Sequence, residues 1–381
     1  MSDDGNVRRI QTHPVRVWDL PTRLFHWSLA GLVLATALIG WVGPKWMLGI
    51  HAVLGYAIAG LIALRLVWGV FGPETSRFAS FPVRPRAALA YLKDLVRGRP
   101  PHHVGHNPAG AMMIYALLAT IAALLLSGLA ALGGVEKQGP LAGVVSYAVA
   151  LAFTDLHAGL ATVLFTLVGL HVAGVAVGSL VERQNLARAM VTGFKRLPGD
   201  TPLPRFTSAR PWLAALSVAA FLAVAGGVLS ALAALPPRGV PDMPRHAAYT
   251  KECGDCHPAY HSSLLPAASW RAMMAGLADH FGEDARLPAA TAADIGVFLQ
   301  TYAAESWDTK AAHRFRRVAP AEPLRITATP FWKHTHADIA PALFKTKAVR
   351  SPGNCNACHR DADAGGFHGP MISIPQGVTE P

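Results

Sequence analysis

Apolar residues fall along the first part of the chain in five long runs, at residues 25–42, 52–71, 109–132, 156–181 and 212–235. Each is near the ~20 residues that an α-helix needs to cross a bilayer. None shows the period-2 alternation of a half-buried strand, so the runs predict helices. The first is the shortest. Trp18, Asp19, Arg23 and His26 beside it, with no small-residue cleavage site, mark it as a span and not a removable leader. Residues 141–153 are apolar but short, and are expected as an interfacial or re-entrant helix leading into the fourth span. Past the fifth run, residues 236–244 (Pro-Pro-Arg-Gly-Val-Pro-Asp-Met-Pro) read as an extended tether. The remainder is polar and globular.

Charge orients this pattern. Residues 1–235 hold 19 Lys and Arg against 9 Asp and Glu, whereas residues 236–381 hold 15 against 14. Arg8, Arg9, Arg16 and Arg23 precede the first run. Arg77, Arg84, Arg86, Lys93, Arg97 and Arg99 separate the second and third. Arg183, Arg188, Lys195, Arg196, Arg205 and Arg210 separate the fourth and fifth, and the other two loops hold only Lys45 and Lys137. Basic loops stay on the cytoplasmic side. The N-terminus is therefore expected inside and residues 245–381 outside. With a mean hydropathy of +0.31 and 15% charged residues, the basic excess is a topology signal and not a nucleic-acid footprint.

The four cysteines all lie in two copies of one motif, Cys253-Gly-Asp-Cys256-His257 and Cys355-Asn-Ala-Cys358-His359. Cys-x-x-Cys-His attaches a c-type haem: two thiols bond the porphyrin edge and the His ligates the iron. A zinc site needs no His after each pair, and its pairs are usually about 15–20 residues apart, not roughly a hundred. A dithiol redox pair likewise leaves the two histidines unexplained. Attachment of c-type haem outside the cytoplasm agrees with the orientation read from charge.

Ionisable residues within spans are costly and mark function. Four histidines stand at or inside span ends: His26, His51, His157 and His171. His157 and His171 are 14 residues apart, about 21 Å and close to four helical turns, so both imidazoles leave one face at two depths. Matching depths pairs His51 with His157 near the outer surface and His26 with His171 near the inner one. Two such pairs in a helical bundle suit two non-covalent b-type haems. Gly55, Gly60, Gly159, Gly169 and Gly174 are placed to leave room for a flat ring. Arg65, 14 residues after His51, is expected either to neutralise an inner-haem propionate or to snorkel to the interface. The c-type irons have several candidate sixth ligands: His261, His280, His313, His334, His336, His368, Met273, Met274 and Met371.

With these residues in view, residues 14–200 resemble bacterial cytochrome b561 proteins, close to the cytochrome b subunits of nickel–iron hydrogenases. The matching stretches are the run from Val15 to Trp27 (Val-Arg-Val-Trp-Asp-Leu-Pro-Thr-Arg-Leu-Phe-His-Trp), His51-x-x-x-Gly55-Tyr56, Arg65-x-x-Trp68-Gly69, Arg77-Phe-Ala-Ser-Phe81 and Gly105-His-Asn-Pro108, with the His157/His171 pair. The resemblance implies a four-helix, quinone-linked electron carrier with His26, His51, His157 and His171 as haem b ligands. Residues 246–381 resemble bacterial di-haem cytochromes c through Cys253-Gly-Asp-Cys256-His257-x-x-Tyr260, Leu264-Leu-Pro-Ala-Ala-Ser-Trp270, Asp279-His-Phe-Gly-Glu-Asp-Ala285, Arg325-Ile-Thr-x-Thr-Pro330 and the second haem motif. That resemblance singles out His280 for the first c haem and His336 for the second, with His261 and His334 as competitors.

The expectation is an all-α protein. Residues 1–200 form a transmembrane four-helix haem b bundle, residues 201–244 a fifth anchoring helix and linker, and residues 245–381 a mostly helical periplasmic di-haem cytochrome c domain. Such a chain, in a bacterial inner membrane, would pass electrons through two b and two c haems, from the quinone/quinol pool to a soluble periplasmic cytochrome or other haem protein. It would act as a quinol:cytochrome c type oxidoreductase. A terminal reductase or oxidase would need an open haem position, and a haem-based sensor would need no continuous chain of haems. No phosphate loop, serine triad or paired-carboxylate constellation points to hydrolytic or nucleotide chemistry.

Overall fold

The computed structural model describes residues 12–101, 103–198 and 209–375. Arg8, Arg9 and Arg205, counted in the charge pattern, lie outside the described residues. Among the described residues, five helices are long and apolar enough to span a bilayer: α1 (Leu20–Val42), α2 (Leu48–Phe71), α4 (Pro108–Val135), α5 (Tyr147–Val181) and α7 (Pro211–Ala233). The chain is a multi-pass membrane protein. Large apolar side chains such as Leu34, Leu38, Val53, Leu126, Leu170, Val172, Leu180 and Val224 face outward, as they must where lipid is the solvent.

Two compact units share these helices. The first comprises residues 1–42, 50–127 and 155–228. Its core joins Ile58 and Ile62 of α2, Ile121 of α4 and Leu164 of α5, with Phe25, Leu29, Leu32 and Val33 of α1 packed on them. The short amphipathic helix α3 (Pro85–Val96) connects α2 to α4. It exposes Leu89, Leu92 and Val96 beside several arginines, the profile of a helix lying in the membrane interface.

A two-stranded antiparallel sheet, an element the all-α expectation lacked, pairs β1 (Thr12–Arg16) with β2 (Phe194–Pro198) after α6 (Leu186–Thr192). Gly193 turns between α6 and β2 at φ +89°, and an added Cβ there would lie 2.7 Å from the Trp18 carbonyl oxygen. Around this sheet the polar residues of the first unit satisfy one another. The Asp19 carboxylate accepts hydrogen bonds from Thr22 (2.6 Å), Ser76 (2.7 Å) and Trp68 Nε1 (2.8 Å). Asn107 donates to Tyr91 Oη at 3.1 Å, and Tyr91 donates to Glu182 at 3.0 Å. Burial, with the nearby cations Arg65 and Lys195, pushes His106 down to about 3.

The second unit comprises residues 43–49, 128–154 and 229–381. The first and third interhelical loops therefore group with the C-terminal part. The segment expected as a separate interfacial helix is different in the structure. Residues 147–153 form the start of α5, a continuous 35-residue helix. Its Ala-, Val- and Leu-rich opening contains no glycine or proline to interrupt it.

The proline-rich segment is extended but not free. The Arg238 N–H donates to the Ala142 carbonyl (2.8 Å) and its guanidinium to that of Val144 (3.1 Å). Gly239 packs against Asp308 so closely that a Cβ would lie 2.3 Å from the Asp308 Cβ. Val240 and Met243 pack on Ala304, Trp307 and Ala312.

Beyond it come α8 (Ala247–Gly254), α9 (Ala267–Ala275), α10 (Ala289–Thr301), α11 (Lys310–Phe315) and α12 (Pro330–Thr335). Leu264, Leu265, Trp270, Ile295 and Leu299 form their core. Much of the rest is short 3-10 turns.

Candidate haem sites

Four pairs of imidazoles face one another. His26 of α1 and His171 of α5 have ring centroids 6.3 Å apart. His51 of α2 and His157 of α5 are at 6.0 Å. His257 and His280 are at 6.1 Å, and so are His336 and His359. An imidazole nitrogen binds a first-row metal at about 2.0–2.1 Å, so two imidazoles on opposite sides of one ion have centroids about 6.2 Å apart. All four separations fit that geometry.

The two pairs of the first unit are stacked along α5. Leu164 lies seven residues from both His157 and His171, so the buried Ile58–Ile62–Ile121–Leu164 layer separates them by about 10 Å on either side.

Neighbours set the imidazole tautomers. His51 Nδ1 donates to the Thr36 carbonyl (3.0 Å), His157 Nδ1 to that of Leu124 (3.0 Å), His257 Nδ1 to that of Pro258 (2.9 Å) and His336 Nδ1 to that of Trp332 (2.9 Å). A ring whose Nδ1 carries the proton keeps its Nε2 lone pair for a metal. His26 Nδ1 and His359 Nδ1 are buried without a hydrogen-bond partner.

Two imidazoles per ion leave the remaining positions to a non-protein ligand. Among the described residues no group of three or more His, Cys, Asp or Glu converges on one point, so the two Cys-x-x-Cys pairs do not assemble the zinc site considered from sequence. A planar tetradentate ring would complete such a site, and several glycines leave open space beside the helices. A Cβ added at Gly31, Gly55, Gly60, Gly159, Gly169 or Gly174 would meet nothing within 4 Å. In the second unit, Met273, Gly276, Asp279, His280, Phe281 and Leu324 line a cleft of about 200 Å³. None of the four cysteines is in a disulfide, so all four sulfurs are available to bond a porphyrin edge.

The other candidate ligands stand elsewhere. His261 is buried on Trp307 with Nδ1 2.8 Å from Ser263 Oγ, and burial pushes it down to about 4. His334 is exposed. His313 binds Asp308 at 2.8 Å and His368 binds Glu136 at 3.3 Å. Met273 and Met274 pack on the core, and Met371 is exposed.

Arg65 is 5% exposed. Its guanidinium lies over the Phe78 ring at 4.5 Å, and Nη1 has no hydrogen-bond partner. A buried cation with an unused donor suits an anionic group such as a haem propionate.

Two features escaped sequence reading. Phe281 and Phe367, beside His280 and His359, adopt positive φ (58° and 53°), a strained conformation for an aromatic residue. The loop between α4 and α5 binds the C-terminal part through charge. Lys137 Nζ donates to Asp308 (2.8 Å), and Lys310 Nζ to Glu136 (3.3 Å). Glu136 and Lys137 are two charges in an otherwise apolar loop, and that contrast was the available signal.

Fold and site together define a class: a multi-pass membrane protein built to hold haem. Residues 17–193 match the prokaryotic cytochrome b561 family, and residues 249–367 match the dihaem cytochrome c family. A diheme cytochrome c from Rhodobacter sphaeroides is 41% identical over 32% of this chain and 94% of its own, with a TM-score of 0.28. The diheme cytochrome c of Shewanella baltica OS155 is 34% identical over 35% of this chain and 95% of its own, also with a TM-score of 0.28. No match is found among the curated proteins. The chain belongs to the dihaem cytochrome c family through its C-terminal part and carries a cytochrome b561 domain ahead of it. Haem-based electron transfer is the activity these two domains support.

Proposed function

We propose that the chain carries electrons across a bacterial inner membrane, from the quinol pool to a soluble periplasmic haem protein. Two b haems and two c haems would form the path. The observation that carries this reading is the set of four imidazole pairs, each at metal-bridging separation. Haem, when bound, supplies a one-electron couple.

The residues of the chain supply the rest. His26/His171 and His51/His157 would hold the two b haems. Cys253, Cys256 and His257 with His280, and Cys355, Cys358 and His359 with His336, would hold the two c haems. Arg65 would bind a propionate of the inner b haem. Two imidazoles per iron favour low potentials, where a methionine ligand would raise them, and leave no open position for a small-molecule substrate. The basic loops support a cytoplasmic N-terminus. The grouping of residues 43–49 and 128–154 with the C-terminal part supports a common outer side for them.

A reduced-minus-oxidised spectrum of purified membranes, with a pyridine haemochrome assay and a quinol titration, tests the proposal. The expected result is equal b and c haem, both reduced by quinol. Two c haems without b would overturn the transmembrane path. Four haems that quinol cannot reduce would overturn the quinol donor.

A further inference from the structure

The segment after the first haem motif reaches both c-type sites. The Tyr260 ring stacks on the His257 imidazole, with centroids 4.9 Å apart and planes at 27°. At its other end, Tyr260 Oη meets the turn that precedes the second motif: a Cβ on Gly353 would lie 2.5 Å from it. That turn leads into Cys355, two residues on. The segment is clamped on both sides of this residue. The Tyr260 carbonyl accepts the Tyr249 hydroxyl at 2.5 Å, and the next residue, His261, is wedged between Trp307 and Gly365. The ring also packs on the core of this part. Tyr260 touches the ligand of one site and the cysteine turn of the other.

We propose that Tyr260 is the relay between the two c-type sites, so that an electron passing between them crosses the packed path from His257 through Tyr260 to the Gly353 turn that leads into the second motif. The inference rests on the reading that both motifs carry haem. One iron goes from ferrous to ferric and the other from ferric to ferrous. No bond forms or breaks, no proton moves, and Tyr260 stays neutral. The aromatic ring matters because it fills the space between the two sites with packed atoms, and a gap there weakens electronic coupling.

The test uses the full-length, haem-loaded protein. Tyr260→Phe keeps the ring and Tyr260→Leu removes it. Haemochrome counts report haem content, and spectroelectrochemistry separates the two c potentials. Pulsed photoreduction follows equilibration between the sites. Tyr260→Leu is expected to slow equilibration roughly tenfold by opening a gap, and Tyr260→Phe, which gives up only the hydroxyl's contact with the Gly353 turn, to slow it by no more than about threefold. The ferric electron paramagnetic resonance signal of the His257 site should move in Tyr260→Leu alone. Wild-type equilibration in Tyr260→Leu, with two c haems retained, would overturn the relay.

If Tyr260→Leu loses haem, Gly353→Ala decides. Its methyl displaces the hydroxyl and should slow equilibration, and adding Tyr260→Phe should rescue it. An unchanged rate in Gly353→Ala would also overturn the relay. Fewer than two c haems in the wild-type protein would instead overturn the proposed function.

Discussion

Replacing Asp308 by Asn should loosen the C-terminal part from the α4–α5 loop. The Lys137 side chain is 5% exposed and Asp308 is 23% exposed. The Asp308 carboxylate also accepts the Tyr147 N–H (2.9 Å) and His313 Nε2 (2.8 Å). Asn keeps the shape and one acceptor but leaves the Lys137 ammonium buried without a counter-charge. Breaking a buried pair from one side costs about 3–5 kcal/mol, and the partial exposure of Asp308 lowers this to about 2–3 kcal/mol. For a unit of this size each kcal/mol shifts the melting midpoint by about 2–4 °C, so a fall of about 5–10 °C is expected.

Melting followed by circular dichroism of the c-haem Soret band measures it, and hydrogen exchange at residues 136–147 reports the loop directly. Asp308→Asn with Lys137→Met removes the orphaned charge and should recover at least half of the loss, as apolar replacement of buried pairs often does. A single variant melting with the wild type, or a double variant no better than the single, would refute the electrostatic account.

Acid should act on the same contact. Burial pushes the Asp308 and Glu136 carboxyls up, but the groups bonded to them outweigh it and hold both below their ordinary range. For Asp308 these are Lys137, the Tyr147 N–H and His313, and for Glu136 they are His368 and Lys310. Depressed carboxyls contribute stability above their unfolded pKa, near 4, and lose it as pH falls through the folded values. Exchange protection of residues 136–147 should therefore hold at neutral pH and decline below about pH 4. Gly365→Ala would force a Cβ to 2.5 Å from the His261 ring at φ +66°. A loss of about 2–4 kcal/mol is expected, read as a lower c-haem melt. His171→Leu and His157→Leu should each halve the b-haem count and leave c haem intact; loss of both b haems from either would contradict separate sites. Arg65→Leu should lower the content or shift the potential of one b haem, and no change in either would remove Arg65 from the site.

The sequence was most informative where a solvent or a repeat imposes a rule. Lipid requires about 20 apolar residues per span, and the five helices lie where those runs are. The 14-residue interval between His157 and His171 needs only an unbroken helix to put both rings on one face, and α5 is unbroken. Matching depths paired His26 with His171 and His51 with His157, and the structure brings the two rings of each pair together. Chemistry in loops was harder to read. His261, His280, His313, His334, His336 and His368 are alike as residue types, and only the folded turns separate them.

The proline-rich stretch was legible as extended, but not in what it touches. Its composition reports only stiffness. An extended segment with few side-chain contacts of its own still offers backbone groups, and these must be satisfied when buried. Arg238 gives its N–H and guanidinium to the α4–α5 loop, and Gly239 admits Asp308 to within contact, where its carboxylate meets Lys137. Linker, loop and C-terminal part therefore close one polar circuit. A tether free to swing would leave Lys137 and Glu136 buried without counter-charges. The same pairs that the composition counted as two stray charges in a loop are what hold the C-terminal part against the ends of α4 and α5.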